Sequence, residues 1–109
     1  MVLINLGRKK IRINARECCG LGKVIGLMFS RQNSARARIF KFNRVTRMPI
    51  HSVFCPKFLA IWLLKGRVVD YETVDKTRFS IKPASEFDTL IEVPINKKYK
   101  KVLKFFKTS

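Results

Sequence analysis

Seven consecutive apolar residues, Phe58–Leu64 (FLAIWLL), constrain this chain more than any other feature. Such a run reads as a central strand buried on both faces. Lys65-Gly66 follows it, and glycine at the second position of a two-residue turn is a good hairpin signal. Arg67–Val74 is then the return strand.

The remaining segments supply partners for this hairpin. Val2–Leu6 reads as a strand, and Lys10–Ile13 alternates basic and apolar residues as a half-buried strand does, with a turn across Gly7–Lys9. In residues 15–29, Leu21, Val24, Ile25 and Met28 have helical spacing, which predicts a short helix over Gly22–Phe29 with a loose, glycine-weakened start. Ser30–Ala35 is loop-like. Ala37–Phe42 alternates, with Arg38, Phe40 and Phe42 on one face. Asn43–Pro49 reads as a basic connection, Ile50–Phe54 as a strand and Thr77–Ile81 as another short one. After a loop at Pro83–Phe87, Thr89–Val93 is a strand ended by Pro94. The period then changes. Tyr99, Val102, Leu103 and Phe106 form one helical stripe, most of the lysines lie off it, and Asn96 is suited to the N-cap. The expected fold is a mainly β, compact single domain over 1–109, a β-barrel or sandwich of jelly-roll-like form. It carries a short helix near 22–29, a C-terminal helix near 96–106 and a Lys-rich end over 96–109.

The composition adds one dominant fact. Lys and Arg total 24 against 7 Asp and Glu, a net charge of +17. An apolar fraction of 47% still supports a packed core, so the charge does not mean disorder. Residues 1–57 carry +12, residues 58–96 carry −1 and residues 97–109 carry +6. The N-terminal half holds an arginine-rich stretch through Arg31, Arg36, Arg38, Arg44 and Arg47, whereas the tail uses lysine only. Arginine can stack on bases and fork onto phosphates, while lysine is a point charge. Such a surplus attracts polyanions, either nucleic acid or an anionic membrane surface. No apolar run approaches the roughly 20 residues of a membrane span.

Catalytic and metal chemistry find little support. Cys18, Cys19 and Cys55 are an odd set without Cys-x-x-Cys spacing, and they read as free thiols. No secretory signal is visible, so the expected compartment is the reducing cytoplasm. His51 is the one histidine. Cys55, four residues on, would stand about 13 Å away along a strand, too far for a catalytic pair. Asp70 and Glu72 alternate as on a solvated edge. Gly20, Gly22 and Gly26 lack the lysine and hydroxyl positions of a P-loop. Most aromatics are expected in the core. No catalytic residue, metal site or cofactor is implied.

Gly26-Leu27-Met28-Phe29 begins an ordered series of short motifs. It continues through Ile39-Phe40-Lys41-Phe42, Ile50-His51-Ser52-Val53-Phe54, Ala60-Ile61-Trp62-Leu63, Gly66-Arg67-Val68-Val69-Asp70 and Leu90-Ile91-Glu92-Val93. Over roughly residues 15–95 this series resembles the DUF-192 family, with Ile-His-Ser in the form of its archaeal branch. The resemblance implies a compact β-rich barrel or sandwich of jelly-roll type and no established reaction. Bacterial members often carry Asn-Thr-x-x-Pro-Leu-Asp before the central strand. This chain has Phe54–Ala60 there, without the aspartate, and a lysine-rich helix replaces the C-terminal Gly-Asp segment.

The leading expectation is a non-enzymatic, basic RNA-binding protein, associated with a ribosome, its rRNA and proteins, or another ribonucleoprotein. Arg31, Arg36, Arg38, Arg44 and Arg47 would contact RNA, with Lys98, Lys101 and Lys104 in support. One alternative is a small-ligand or enzymatic barrel whose pocket involves His51 and Trp62. The other is a protein that docks on anionic membranes through its lysine-rich tail.

Overall fold

The structure, a computed structural model, describes residues 2–18, 31–52, 55–75 and 77–106. Its strands are β1 (Val2–Leu6), β2 (Lys9–Ile13), β3 (Ala15–Cys18), β4 (Ala37–Thr46), β5 (Phe58–Leu64), β6 (Arg67–Val74) and β7 (Phe87–Pro94). A 3-10 turn at Lys97–Tyr99 leads into helix α1 (Lys100–Phe105). The expected helix over Gly22–Phe29 and the Gly26–Phe29 motif lie outside the described residues.

All seven strands belong to one sheet, in the order β2-β1-β6-β5-β7-β4-β3. β1 pairs with β6, and β3 with β4, in parallel; the other neighbours are antiparallel. The two edge strands, β2 and β3, are separated in sequence by Asn14 alone. In a flat sheet of seven strands the edges would stand about 29 Å apart. A single residue cannot span that, so the sheet curls into a half-barrel whose edges meet at Asn14.

β5 fulfils the reading of its sequence. Leu59, Ile61 and Leu63 enter a core on one face with Ile4, Ile13, Ile39 and Ile91. Helix α1 covers that face, with Val102 and Phe106 in the same cluster and Phe106 edge-on to Tyr71 at 5.1 Å. Phe58, Ala60 and Trp62 enter a second core on the other face, with Phe40, Phe87 and Leu90. Ile50, Cys55 and Ile81, from the connections around 47–57 and 75–86, pack onto it. Lys65 (φ 53°) and Gly66 (φ 83°) both have positive φ, as the tight hairpin turn requires. Asn96 caps the 3-10 turn by accepting from the Lys98 N–H.

Four points differ from the sequence reading. Ala15–Cys18, to which that reading gives no element, is a strand, because it finds a parallel partner in β4. β4 continues to Thr46, so the arginine-rich connection is partly strand. Of the strands expected at Ile50–Phe54 and Thr77–Ile81, the described residues keep one bridge, Ile50 to Ile81; Val53 and Phe54 lie outside them. Asp70 and Glu72 are not on a solvated edge. β6 is interior to the sheet, and both residues are half-buried where the 75–86 connection folds back over them. There Asp70 accepts from the Ala84 N–H and Glu72 pairs with Arg78.

Candidate functional site

The arginines of the expected RNA site are spread along β4 and the segments that enter and leave it rather than gathered in one cluster. Arg31 and Arg36 are exposed on the segment that enters β4. Gln32 fastens this segment by donating to the carbonyls of Lys57 and Ile95 and accepting from the Lys57 N–H. Asn96 donates to the carbonyls of Gln32 and Ala35, and Lys98 Nζ to that of Ser34 at 3.1 Å. Arg31, Arg36 and Lys98 therefore share one corner of the molecule. Arg44 and Arg47 are exposed at the far end of β4. Nine strand steps separate its ends, about 30 Å, in a molecule whose longest dimension is 34 Å.

Arg38 lies between these groups and is half-buried. In the sheet it stands opposite Arg16 on β3 and Glu92 on β7, and Glu92 in turn faces Ala60. Glu92 is only 5% exposed, and Arg38 Nε has no hydrogen-bond partner among the described residues. Lys101 and Lys104 are exposed on α1, which covers the opposite face of the sheet from the Arg38 row. The helix thus presents its lysines on a second surface. Its apolar stripe is already consumed by the core, through Tyr99, Val102 and Phe106.

The acidic residues are mostly committed elsewhere. Glu17 pairs with Lys41, and Glu72 with Arg78. Asp88 accepts from the Lys65 N–H and Thr89 Oγ1, and Asp70 from the backbone of Tyr71 and Ala84. None of the eight expected RNA-contacting residues takes part in either ion pair.

The two expected ligand-pocket residues differ in burial. Trp62 is fully buried, and its indole N–H has no partner among the described residues. His51 is half-buried. A pocket of about 240 Å³ opens beside it, lined by Gln32, Ser52, Cys55, Lys57, Asp75 and Thr77 among others, but by neither His51 nor Trp62. Burial, reinforced by the Glu92 carboxylate, pushes the Cys55 thiol up to about 11. It stays protonated at neutral pH and is a poor nucleophile. Among the described residues no three His, Cys, Asp or Glu side chains could hold a metal ion. No described helix is long and apolar enough to cross a membrane.

One exposed residue escaped the sequence reading. Phe79 is 84% exposed, the largest value among the exposed large apolar side chains of the described residues. Alternation over Thr77–Ile81 would place it beside Ile81, which is fully buried. The backbone shows why it is not there. Ile50 and Ile81 exchange both N–H···O bonds, and the next bond runs from the Ser52 N–H to the Arg78 carbonyl. One chain advances two residues while the other advances three. The extra residue is a bulge, which re-aims the side chain. Ser52 Oγ also accepts from the Arg78 N–H at 2.6 Å, and the Arg78 guanidinium is held by Glu72.

No family model, curated protein or solved structure matches the chain. These comparisons give the expected likeness to DUF-192 no support.

Proposed function

We propose that the protein is a non-enzymatic binder of RNA, acting on a ribosome or other ribonucleoprotein in the cytoplasm. The observation that carries this reading is the uncompensated surface charge. The chain carries 24 Lys and Arg against 7 Asp and Glu, and several of the acids hold backbone and loops. Cations in such excess repel one another, and a polyanion relieves that repulsion. Contact with phosphates also releases condensed counterions, which drives association. Arg31, Arg36 and Lys98 would meet RNA at one end of β4, and Arg44 and Arg47 at the other. Arg38 lies between them, and Lys101 and Lys104 extend the field around the helix. The membrane reading is weaker, because an α1 whose apolar stripe is buried can offer a bilayer only charge.

The test is anisotropy of a labelled single-stranded RNA across a salt series. Affinity should fall with log[salt] at about 0.7 per phosphate neutralised. Replacing Arg36, Arg44 and Arg47 together by Gln should flatten the slope by about 2. Absence of binding at low salt, or binding indifferent to salt, refutes the proposal.

A further inference from the structure

We infer that Phe79 is a stacking platform for an unpaired base of single-stranded nucleic acid, an inference that rests on the RNA reading above. A lone exposed apolar residue usually needs no explanation. Phe79 differs in how it is held. The residue before it is fixed at backbone N–H and carbonyl by Ser52 and at its side chain by Glu72. Two residues after it, Ile81 is anchored in the core. The backbone that carries the ring is fastened on both sides of the bulge, so binding has only the side-chain torsions left to order.

The surroundings select the occupant. Lys82 is exposed three residues on, about 10 Å along the chain. Arg47 is exposed five residues before Ser52, within about 17 Å of the bulge. A single strand combines phosphates for these cations with bases whose faces are open to a ring. A duplex does not, because its bases are already stacked on one another. An apolar protein partner would gain nothing from the flanking charge.

The experiment compares wild type, Phe79→Ala, Phe79→Leu and Phe79→Trp on oligouridylate and on an RNA duplex of equal length. Loss of the ring should weaken single-strand binding about 5- to 150-fold. The salt slope should stay the same, because no cation is removed. Phe79→Leu should fail like alanine. Phe79→Trp should bind as wild type, with its emission quenched on titration, whereas the buried Trp62 responds little. Duplex binding should be unchanged in all variants. Phe79 is nearly free in solvent, so the thermal midpoint of Phe79→Ala should match wild type, which separates lost contact from lost fold.

Phe79→Ala binding oligouridylate within twofold of wild type overturns the platform and leaves the RNA reading standing. Full rescue by leucine, or equal losses on duplex, also overturns it. So does a Phe79→Ala defect confined to flotation with anionic liposomes. Failure of the wild type to bind any RNA at low salt refutes the underlying reading and the platform together.

Discussion

Replacing Tyr99 by Phe should destabilise the protein by about 2–4 kcal/mol. The Tyr99 hydroxyl is the pin at the corner where the half-barrel closes. It accepts from the Ala37 N–H at 2.7 Å and donates to the Asn14 carbonyl at 3.0 Å. Asn14 is the single residue between the two edge strands, and Ala37 begins β4 opposite the start of β3. Ala37 is fully buried, so its N–H would be left without a partner, at about 1–3 kcal/mol. Asn14 is exposed and its carbonyl can turn to water, so its share is about 1 kcal/mol. The phenyl ring keeps its place in the core, so loss of packing does not enter. Urea unfolding should show the midpoint lowered by about 1–2 M at an unchanged m near 2 kcal/mol/M. Hydrogen exchange at the Ala37 amide should speed up more than at amides of β5. A loss under about 0.5 kcal/mol, with Ala37 still protected, would refute the claim that this hydroxyl closes the corner.

Further outcomes follow from the local geometry at the hairpin turn and at Cys55. Gly66→Ala should cost about 1–2 kcal/mol, because φ of 83° strains any residue with a Cβ, whereas Lys65→Asn should be neutral or stabilising by a few tenths of a kcal/mol; paired thermal melts read both. In a Cys18→Ser, Cys19→Ser background, Cys55 should react with a disulfide reagent far more slowly than a free thiol at pH 8. Its rate should climb through a pH of about 11, and Glu92→Gln should lower that value only part of the way, because burial is the larger cause. The folded-state value lies above the unfolded 9.0, so the same group's stabilising contribution is intact below pH 9 and is lost as pH rises towards 11. Cys55→Ser should remove that alkaline decline in stability.

Local signals in the sequence were reliable. The FLAIWLL strand, the Lys65-Gly66 turn and the Asn96-capped 3-10 turn that leads into α1 appear where their own residues place them, because period, turn chemistry and capping act within a few positions. Long-range pairing was not legible. Nothing in Ala15–Cys18 announces a strand, which exists because β4 lies alongside. Nor does the chain order show that β7 inserts between β5 and β4. The charge of the candidate site could be counted in advance, but its layout could not. Arginines close in sequence are spread over the length of β4 because an extended strand separates them. Phe79 was misread for a related reason. Period-two alternation assumes an unbroken ladder, and one extra residue between two hydrogen bonds reverses the face.

The meeting of the two sheet edges at Asn14 bears on self-association. Edge strands offer unpaired backbone groups to any other copy of the chain, and lysine along an edge is a recognised deterrent to such templating. Here both edges belong to one stretch, residues 9–18, and that stretch carries Lys9, Lys10, Arg12 and Arg16, all exposed. Two molecules approaching edge to edge would bring cations against cations whichever edges they used. Neutralising that stretch should therefore lower solubility before it lowers stability, and a bound polyanion could bring copies together that repel one another when free.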